Sequence, residues 1–251
     1  MLHKWEITIP CLSPELRRRA YLYLPRAYEE HPDARFPVLY MFDGHNVFLD
    51  ADAAYGTSWG MYDYMNESGA PLIIAAVECN SVGNGRLREY SPFSHETASL
   101  GRIDACGRTL MNWLVHDFKP MLDANLRTLP GREHTLIAGS SMGGLMALYA
   151  ATSYNRHFQR AACLSPSLWV APHKVRRMIK HADIAPDTCI YMDYGSQEMG
   201  NHEESREALF STCQALLHRG VDLTFRIVPG GTHSEASWRN QVPIFMKCLG
   251  F

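Results

Sequence analysis

A short apolar run, His134-Thr135-Leu136-Ile137-Ala138, is followed at once by Gly139-Ser140-Ser141-Met142-Gly143-Gly144 and then by Leu145-Met146-Ala147-Leu148-Tyr149-Ala150-Ala151. The first segment reads as a buried strand and the last as a strong helix former. Between them there is room only for a tight turn, and a G-x-S-x-G pattern needs that strand, turn, helix context. Small residues on either side of Ser141 let the backbone turn sharply. The hydroxyl then projects from the carboxyl end of the strand, and the following N–H groups lie at a helix N-terminus. Ser141 is a candidate nucleophile; the competing reading is an ordinary Gly/Ser turn before a helix.

The rest of the chain alternates in the same way. Apolar runs over 38–42, 72–77 and 161–165 read as buried strands and 189–195 and 223–228 as further strands, separated by helical patterns over 59–66, 106–126, 175–181 and 203–219. Such alternation builds βαβ units and a mostly parallel sheet flanked by helices. Segments 5–10 and 19–24 alternate as two strands joined by a turn at Ser13-Pro14, an antiparallel edge. In 106–126, Leu110, Trp113, Leu114, Phe118, Met121 and Leu122 make one apolar face, and Pro120 must kink the helix. Pro243 likewise breaks or kinks a terminal helix over 237–249. With 251 residues, 46% of them hydrophobic, the chain suffices for a single α/β domain over 1–251.

Composition narrows the function. A formal net charge of -2 gives no reason to expect nucleic acid or an anionic membrane as a partner. The N-terminus shows no apolar signal region and no run is long enough to span a bilayer, so a cytoplasmic protein is expected. The seven cysteines are widely spaced without a C-x-x-C pair and read as reduced, mostly buried small hydrophobes. Residues 78–101 form a long polar stretch containing Arg86, Arg88, Glu89, Tyr90 and Pro92. It is expected as a loop near the site, with Arg88 and Glu89 paired to hold it. His116-Asp117 reads as an exposed polar face.

A serine hydroxyl needs a base to take its proton and an acid to orient that base, and the chain order for this turn is Ser, acid, His. Among twelve histidines, His233 follows the last strand in Gly230-Gly231-Thr232-His233-Ser234, where the base belongs; His202 and His218 fit less well. The acid must follow the strand ending at Gly195, which leaves Glu198 in the loop and Asp193 within the strand. Two donors must meet the oxyanion. One is the Met142 backbone N–H, and the other comes from Gly44 or His45 in the loop after the strand over 38–42. No ligand spacing among Asp43, His45, Asp50 and Asp52 indicates a metal, and neither metal nor organic cofactor is expected.

Five stretches together resemble the putative-esterase (esterase D-like) branch of the α/β hydrolases: 37–48 from Pro37 through Asp43-Gly44-His45-Asn46, Arg88-Glu89-Tyr90-Ser91-Pro92, the turn around Ser141, Gly195-Ser196-Gln197-Glu198, and Gly230-Gly231-Thr232-His233. That branch includes feruloyl and acetyl xylan esterases, enterochelin esterases, S-formylglutathione hydrolases and mycolyl transferases. The resemblance implies the α/β-hydrolase fold, a triad of Ser141, Glu198 and His233, and oxyanion donors at His45 and Met142. Some members use aspartate as the acid and some a serine-histidine dyad. The expectation is a serine carboxylesterase acting on a small acyl ester, such as a feruloyl or acetyl ester of a carbohydrate. Gly44, Trp59, Arg88 and Trp169 are candidates for contact with the substrate, and Trp59, Trp169 and Trp238 offer rings that could stack on a sugar or phenol. The other readings are a thioesterase or acyltransferase of the S-formylglutathione hydrolase type, and a non-catalytic hydrolase-like binding protein. The partner expected is the small-molecule ester itself, and a homo-oligomer is compatible with the sequence.

Overall fold

The computed structural model describes residues 1–97, 100–198 and 203–251; His202 lies outside the described residues. Strands β1 (Leu2–Ile9) and β2 (Ser13–Tyr23) pair antiparallel, with Trp5 opposite Ala20. A short helix α1 (Arg26–Glu30) precedes β3 (Val38–Met41); α2 (Met61–Ser68) then leads to β4 (Ile73–Val77). The polar stretch after β4 holds structure of its own. It contains α3 (Gly85–Glu89) and a two-stranded hairpin of β5 (His95–Thr97) and β6 (Gly101–Ile103).

The helical pattern over 106–126 is divided into α4 (Gly107–Trp113), one wide π turn (Leu114–Phe118) and α5 (Lys119–Asn125). Pro120 explains the break: it has no N–H to donate into the preceding turn, which widens just before it. Met121, expected on the apolar face, is exposed. The remaining elements are β7 (Thr135–Ser140), α6 (Met142–Ser153), β8 (Arg160–Leu164), α7 (Pro172–His181), β9 (Cys189–Gly195), α8 (Glu203–His218), β10 (Asp222–Val228), α9 (Glu235–Arg239) and α10 (Val242–Cys248).

Eight strands form one sheet in the order β1-β2-β4-β3-β7-β8-β9-β10. It is parallel from β4 to β10, and β2 runs antiparallel to β4. The chain moves from β3 outward to β4, then returns past β3 to β7. The crevice between β3 and β7 is therefore the switch point at whose carboxyl edge an open α/β sheet binds ligands. The loops after these two strands carry Asp43-Gly44-His45 and Ser141.

Side chains alternate across the sheet with the two-residue strand period. Val38 and Tyr40 enter the core shared with α4–α8, whereas Leu39 and Met41 enter the core shared with α2, α9 and α10. Both faces are covered, as a parallel sheet with continuous apolar strands requires. Helix α6 is buried from Met142 through Thr152, which accounts for its apolar composition on every side. Among the described residues no helix is long and apolar enough to cross a membrane. All seven cysteines are free, but only Cys79, Cys163 and Cys213 are fully buried, fewer than expected; Cys11 is exposed.

Candidate active site

Ser141 has φ 57° and ψ −123°, a strained conformation between β7 and α6. Holding a non-glycine residue there costs about 1–3 kcal/mol, which the surrounding packing must offset. Its N–H donates to the Leu164 carbonyl at 2.9 Å, tying the turn to β8. Strand and helix approach so closely that a Cβ on Gly139 would lie 2.5 Å from the Gly143 carbonyl. Gly139 is therefore needed at its contact with Gly143, while a Cβ on Gly143 would meet the Phe42 side chain at 3.1 Å.

His233 follows β10 and brings Nε2 to 2.9 Å from Ser141 Oγ; its Nδ1 lies 2.7 Å from Glu198 Oε2. A carboxylate only accepts, so Nδ1 carries the proton and Nε2 faces the serine as an acceptor, the tautomer this network assigns. The Glu198 side chain is 5% exposed, against 47% for His233. Its other oxygen accepts from Ser165 Oγ at 2.7 Å and from the Gly195 N–H at 2.8 Å. Burial pushes the Glu198 carboxyl up, but hydrogen bonds from His233, Ser165 and Gly195 outweigh it and hold the group below the usual range.

Asp193, the other acid considered, is 1% exposed within β9. Its oxygens accept from the Tyr191 hydroxyl at 2.8 Å and the Ser165 N–H at 3.3 Å. Burial raises its pKa to about 6. The structure brings Glu198 to the histidine and turns Asp193 into the sheet.

On the opposite side, Met142 is the first residue of α6 and His45 lies in the 3-10 turn Gly44–Asn46. N–H groups at the first positions of helices lack intrahelical acceptors. The Asn46 N–H already closes that turn on the Asp43 carbonyl. Asp43 has φ 55°, a left-handed conformation that aspartate tolerates better than most residues. Arg86 from α3 grips it with two bonds of 2.8 and 2.7 Å, and the Asp43 N–H donates to the Tyr90 hydroxyl at 2.9 Å. Burial raises the Asp43 carboxyl, yet Arg86 holds it below the usual range.

A family model described as Putative esterase matches residues 13–245. The chain belongs to the Putative esterase family. It is an esterase, a hydrolase acting on ester bonds. YbbA, an uncharacterized protein of Bacillus subtilis (strain 168), is 24% identical over 191 residues, covering 75% of this chain and 71% of that one. Among solved structures, an IroE-like serine hydrolase from Shewanella oneidensis matches with a TM-score of 0.78 at 17% identity over 99% of this chain and 79% of that one. A ferulic acid esterase matches with a TM-score of 0.70 at 18% identity, over 99% and 98%. At these identities the structural likeness is one of fold, the α/β-hydrolase fold.

Of the residues expected to meet substrate, the esterase leaves Trp169 and Arg88 exposed, and of the two it is Trp169 that stands near Ser141. It is 56% exposed in the 3-10 turn Leu168–Val170, two residues beyond Ser167, whose hydroxyl lies 3.4 Å from Ser141 Oγ. Trp59 is instead 3% exposed, packed against Trp238 and Phe245, because the chain folds back over that face of the sheet. Gly44 packs inward: a Cβ there would meet Tyr21 at 2.9 Å and the Val77 backbone at 3.0 Å. Arg88 is exposed and reaches toward Cys106; it does not pair with Glu89, which forms a buried 2.6 Å ion pair with Arg18.

Sequence reasoning missed the parts played by Arg86, Ser165, Ser167 and Trp238. Arg86 stands two residues from the arginine singled out, and the Trp238 ring, read as a stacking candidate, packs edge-on against His233 at 5.0 Å. Ligand atoms of Asp43, His45 and Cys79 lie within 4.8 Å of one another, but the Asp43 oxygens already bind the Arg86 guanidinium. Asp50 pairs with Arg239, and Asp52 with Lys4 and Arg19.

Proposed function

We propose that this esterase is a serine carboxylesterase that hydrolyses a small acyl ester through an acyl-enzyme on Ser141. The observation that carries the reading is the unbroken line from Ser141 Oγ to His233 Nε2 at 2.9 Å and from His233 Nδ1 to Glu198 Oε2 at 2.7 Å. His233 takes the hydroxyl proton as Ser141 Oγ attacks the ester carbonyl. The Met142 and His45 N–H groups receive the developing oxyanion, each worth about 10²–10³ in rate. Collapse of the tetrahedral intermediate breaks the ester C–O bond, and the imidazolium gives its proton to the departing alkoxide. A water then attacks the acyl-enzyme with His233 as base; the acid leaves and Ser141 regains its proton. Glu198 keeps the histidine in the required tautomer and stabilises the imidazolium in both halves.

The exposed Trp169 ring supports an acyl group or alcohol with a flat face, such as a feruloyl ester of a carbohydrate, since an indole stacks on both phenols and sugars. We place the reaction in the cytoplasm, on the support of seven unpaired cysteines. The test is Ser141→Ala combined with fluorophosphonate labelling. The wild type is expected to form its adduct at Ser141, and the variant to lose about 10⁶ in kcat without much change in stability. Retained turnover, or an adduct on another serine, removes Ser141 as the nucleophile. A panel of acetyl, feruloyl, p-nitrophenyl and S-formylglutathione esters then ranks acyl and leaving groups.

A further inference from the structure

Ser165 opens the turn that leaves β8, and it is one of three non-glycine residues among those described with positive φ, at 42°. The other two are Ser141 and Asp43, both already at the site. Ser165 is 1% exposed. Its hydroxyl lies between two side chains, accepting from the Trp238 indole Nε1 at 2.9 Å and reaching Glu198 Oε1 at 2.7 Å. The polarity of this pair of bonds is settled by chemistry. An indole N–H only donates and an ionised carboxylate only accepts, so the single hydroxyl proton of Ser165 must point at Glu198.

The same turn holds the other end of the reacting line. The Ser167 N–H donates to the Ser141 carbonyl at 3.0 Å, beside the 3.4 Å approach of the two serine hydroxyls. Backbone bonds anchor the turn to the neighbouring strand, where the Ser165 N–H donates to the Asp193 carbonyl at 3.0 Å. Ser165-Pro166-Ser167 thus spans from the acid to the nucleophile in three residues. Its strained φ is the conformation that aims the Ser165 hydroxyl inward, a strain of the kind that persists only where the surroundings over-determine it.

We propose that Ser165 is a positioning residue: held by Trp238, it donates a charge-assisted hydrogen bond that fixes and keeps ionised the carboxylate orienting His233. The inference rests on the triad assigned above and deepens it. Ser165 never touches substrate; it acts through Glu198 alone. Three donors then converge on that carboxylate, from Ser165, the Gly195 amide and His233 Nδ1. Removing one of them makes the carboxylate more basic and leaves its orientation freer.

The test compares Ser165→Ala, Ser165→Gly and Trp238→Phe, each alone and the first also in a Glu198→Gln background. Glycine adopts positive φ without strain, so Ser165→Gly keeps the turn if alanine disturbs folding. Either Ser165 variant is expected to lower kcat about 10- to 100-fold with KM nearly unchanged, and to move the acid limb of the pH-rate profile to higher pH. Trp238→Phe keeps a ring against His233 but loses the N–H, and should cost less, about threefold to tenfold. In the Glu198→Gln background, Ser165→Ala should add less than about a factor of two, because the group it acts through is already gone.

The same variants are read by the rate of fluorophosphonate labelling at Ser141, which needs no knowledge of the natural ester. If wild-type Ser141 does not label, the triad reading itself falls. If it labels and a folded Ser165 variant reacts at the wild-type rate across the pH range, the positioning role alone is overturned. That role is overturned equally if Ser165→Ala costs its full factor in the Glu198→Gln background.

Discussion

Two sides of the site face each other across Ser141, and different forces hold them. The loop of Asp43 and His45 is held by an ion pair: Arg86 forks onto a buried carboxylate while Tyr90 accepts from the Asp43 N–H. The loops of Glu198 and His233 are held by a chain of hydrogen bonds that meets at one carboxylate, with Trp238 beneath the imidazole. In the mechanism proposed above, the first arrangement supplies geometry to a backbone N–H and carries no proton that must move, whereas the second supplies geometry and charge together and works only while Glu198 stays ionised. Changes on the acid side should therefore show in kcat with little effect on stability, whereas changes on the ion-pair side should show in both.

The largest effect expected from this contrast belongs to Glu198→Gln. The glutamine fills the same space and can still accept from Ser165 and Gly195, but its amide cannot stabilise an imidazolium and favours the wrong histidine tautomer. Steady-state kinetics should show kcat lowered by up to about 10⁴ with KM nearly intact. Thermal unfolding should move little. A variant that keeps most of its kcat would show that Ser141 and His233 suffice as a dyad, and the contrast between the two sides would break.

Arg86→Met comes next. It leaves the Asp43 carboxylate buried without its partner, which should cost about 3 kcal/mol in denaturant unfolding. The 3-10 turn carrying His45 should shift with it and cost about 10²–10³ in kcat, the range for one oxyanion donor. Arg86→Lys keeps a charge but loses the fork, and should fall between. Asp43→Asn combined with Arg86→Met should recover stability more than rate, since it removes the stranded charge without restoring the loop. If Arg86→Met changes stability but leaves kcat unmoved, the ion pair holds the fold and not the oxyanion donor.

How much of this was legible in the sequence follows from what each feature depends on. The inner strands of the parallel sheet are continuous apolar runs because both faces are buried, so β3, β4, β7, β8 and β9 can be read locally, and the turn at Ser141 with them, whereas the edge strand β10 is only partly buried and mixes polar with apolar residues. His233 can be placed because chain order and strand ends decide it. The stretch after β4 cannot be read this way. Its partners are distant, with Glu89 on Arg18 and Arg86 on Asp43, and nothing nearby says which of Arg86 and Arg88 turns inward. Trp59 and Trp169 look alike as aromatics beside loops, and only the return of α9 and α10 over the sheet buries the first. Ser165 gives no local signal, because its role depends on Trp238, 73 positions away.

The comparison is sharpened, finally, by two carboxylates near the end of β9, Asp193 within it and Glu198 just after it, whose pKa values are shifted in opposite senses. Glu198 has its pKa lowered in the folded protein, so its contribution is present at neutral pH and is lost as pH falls through the acid range. Asp193 has its pKa raised from 3.8 to about 6 by burial, so the folded state binds more protons than the unfolded one between those values. Its sign is the reverse: the stabilisation is complete below the unfolded pKa and is lost as pH rises to about 6, on the order of 3 kcal/mol over that window. Asparagine does not titrate, and its amide can donate to the Tyr191 oxygen while its carbonyl accepts from the Ser165 N–H. Asp193→Asn should therefore gain on the wild type between about pH 4 and 6 and level off above that in denaturant unfolding, while kcat stays within a few-fold. If the stability difference is flat across that range, Asp193 is not held as its burial implies. If kcat instead falls as far as in Glu198→Gln, Asp193 is the orienting acid, and the hydrogen bond from His233 to Glu198 is not the one that matters for turnover.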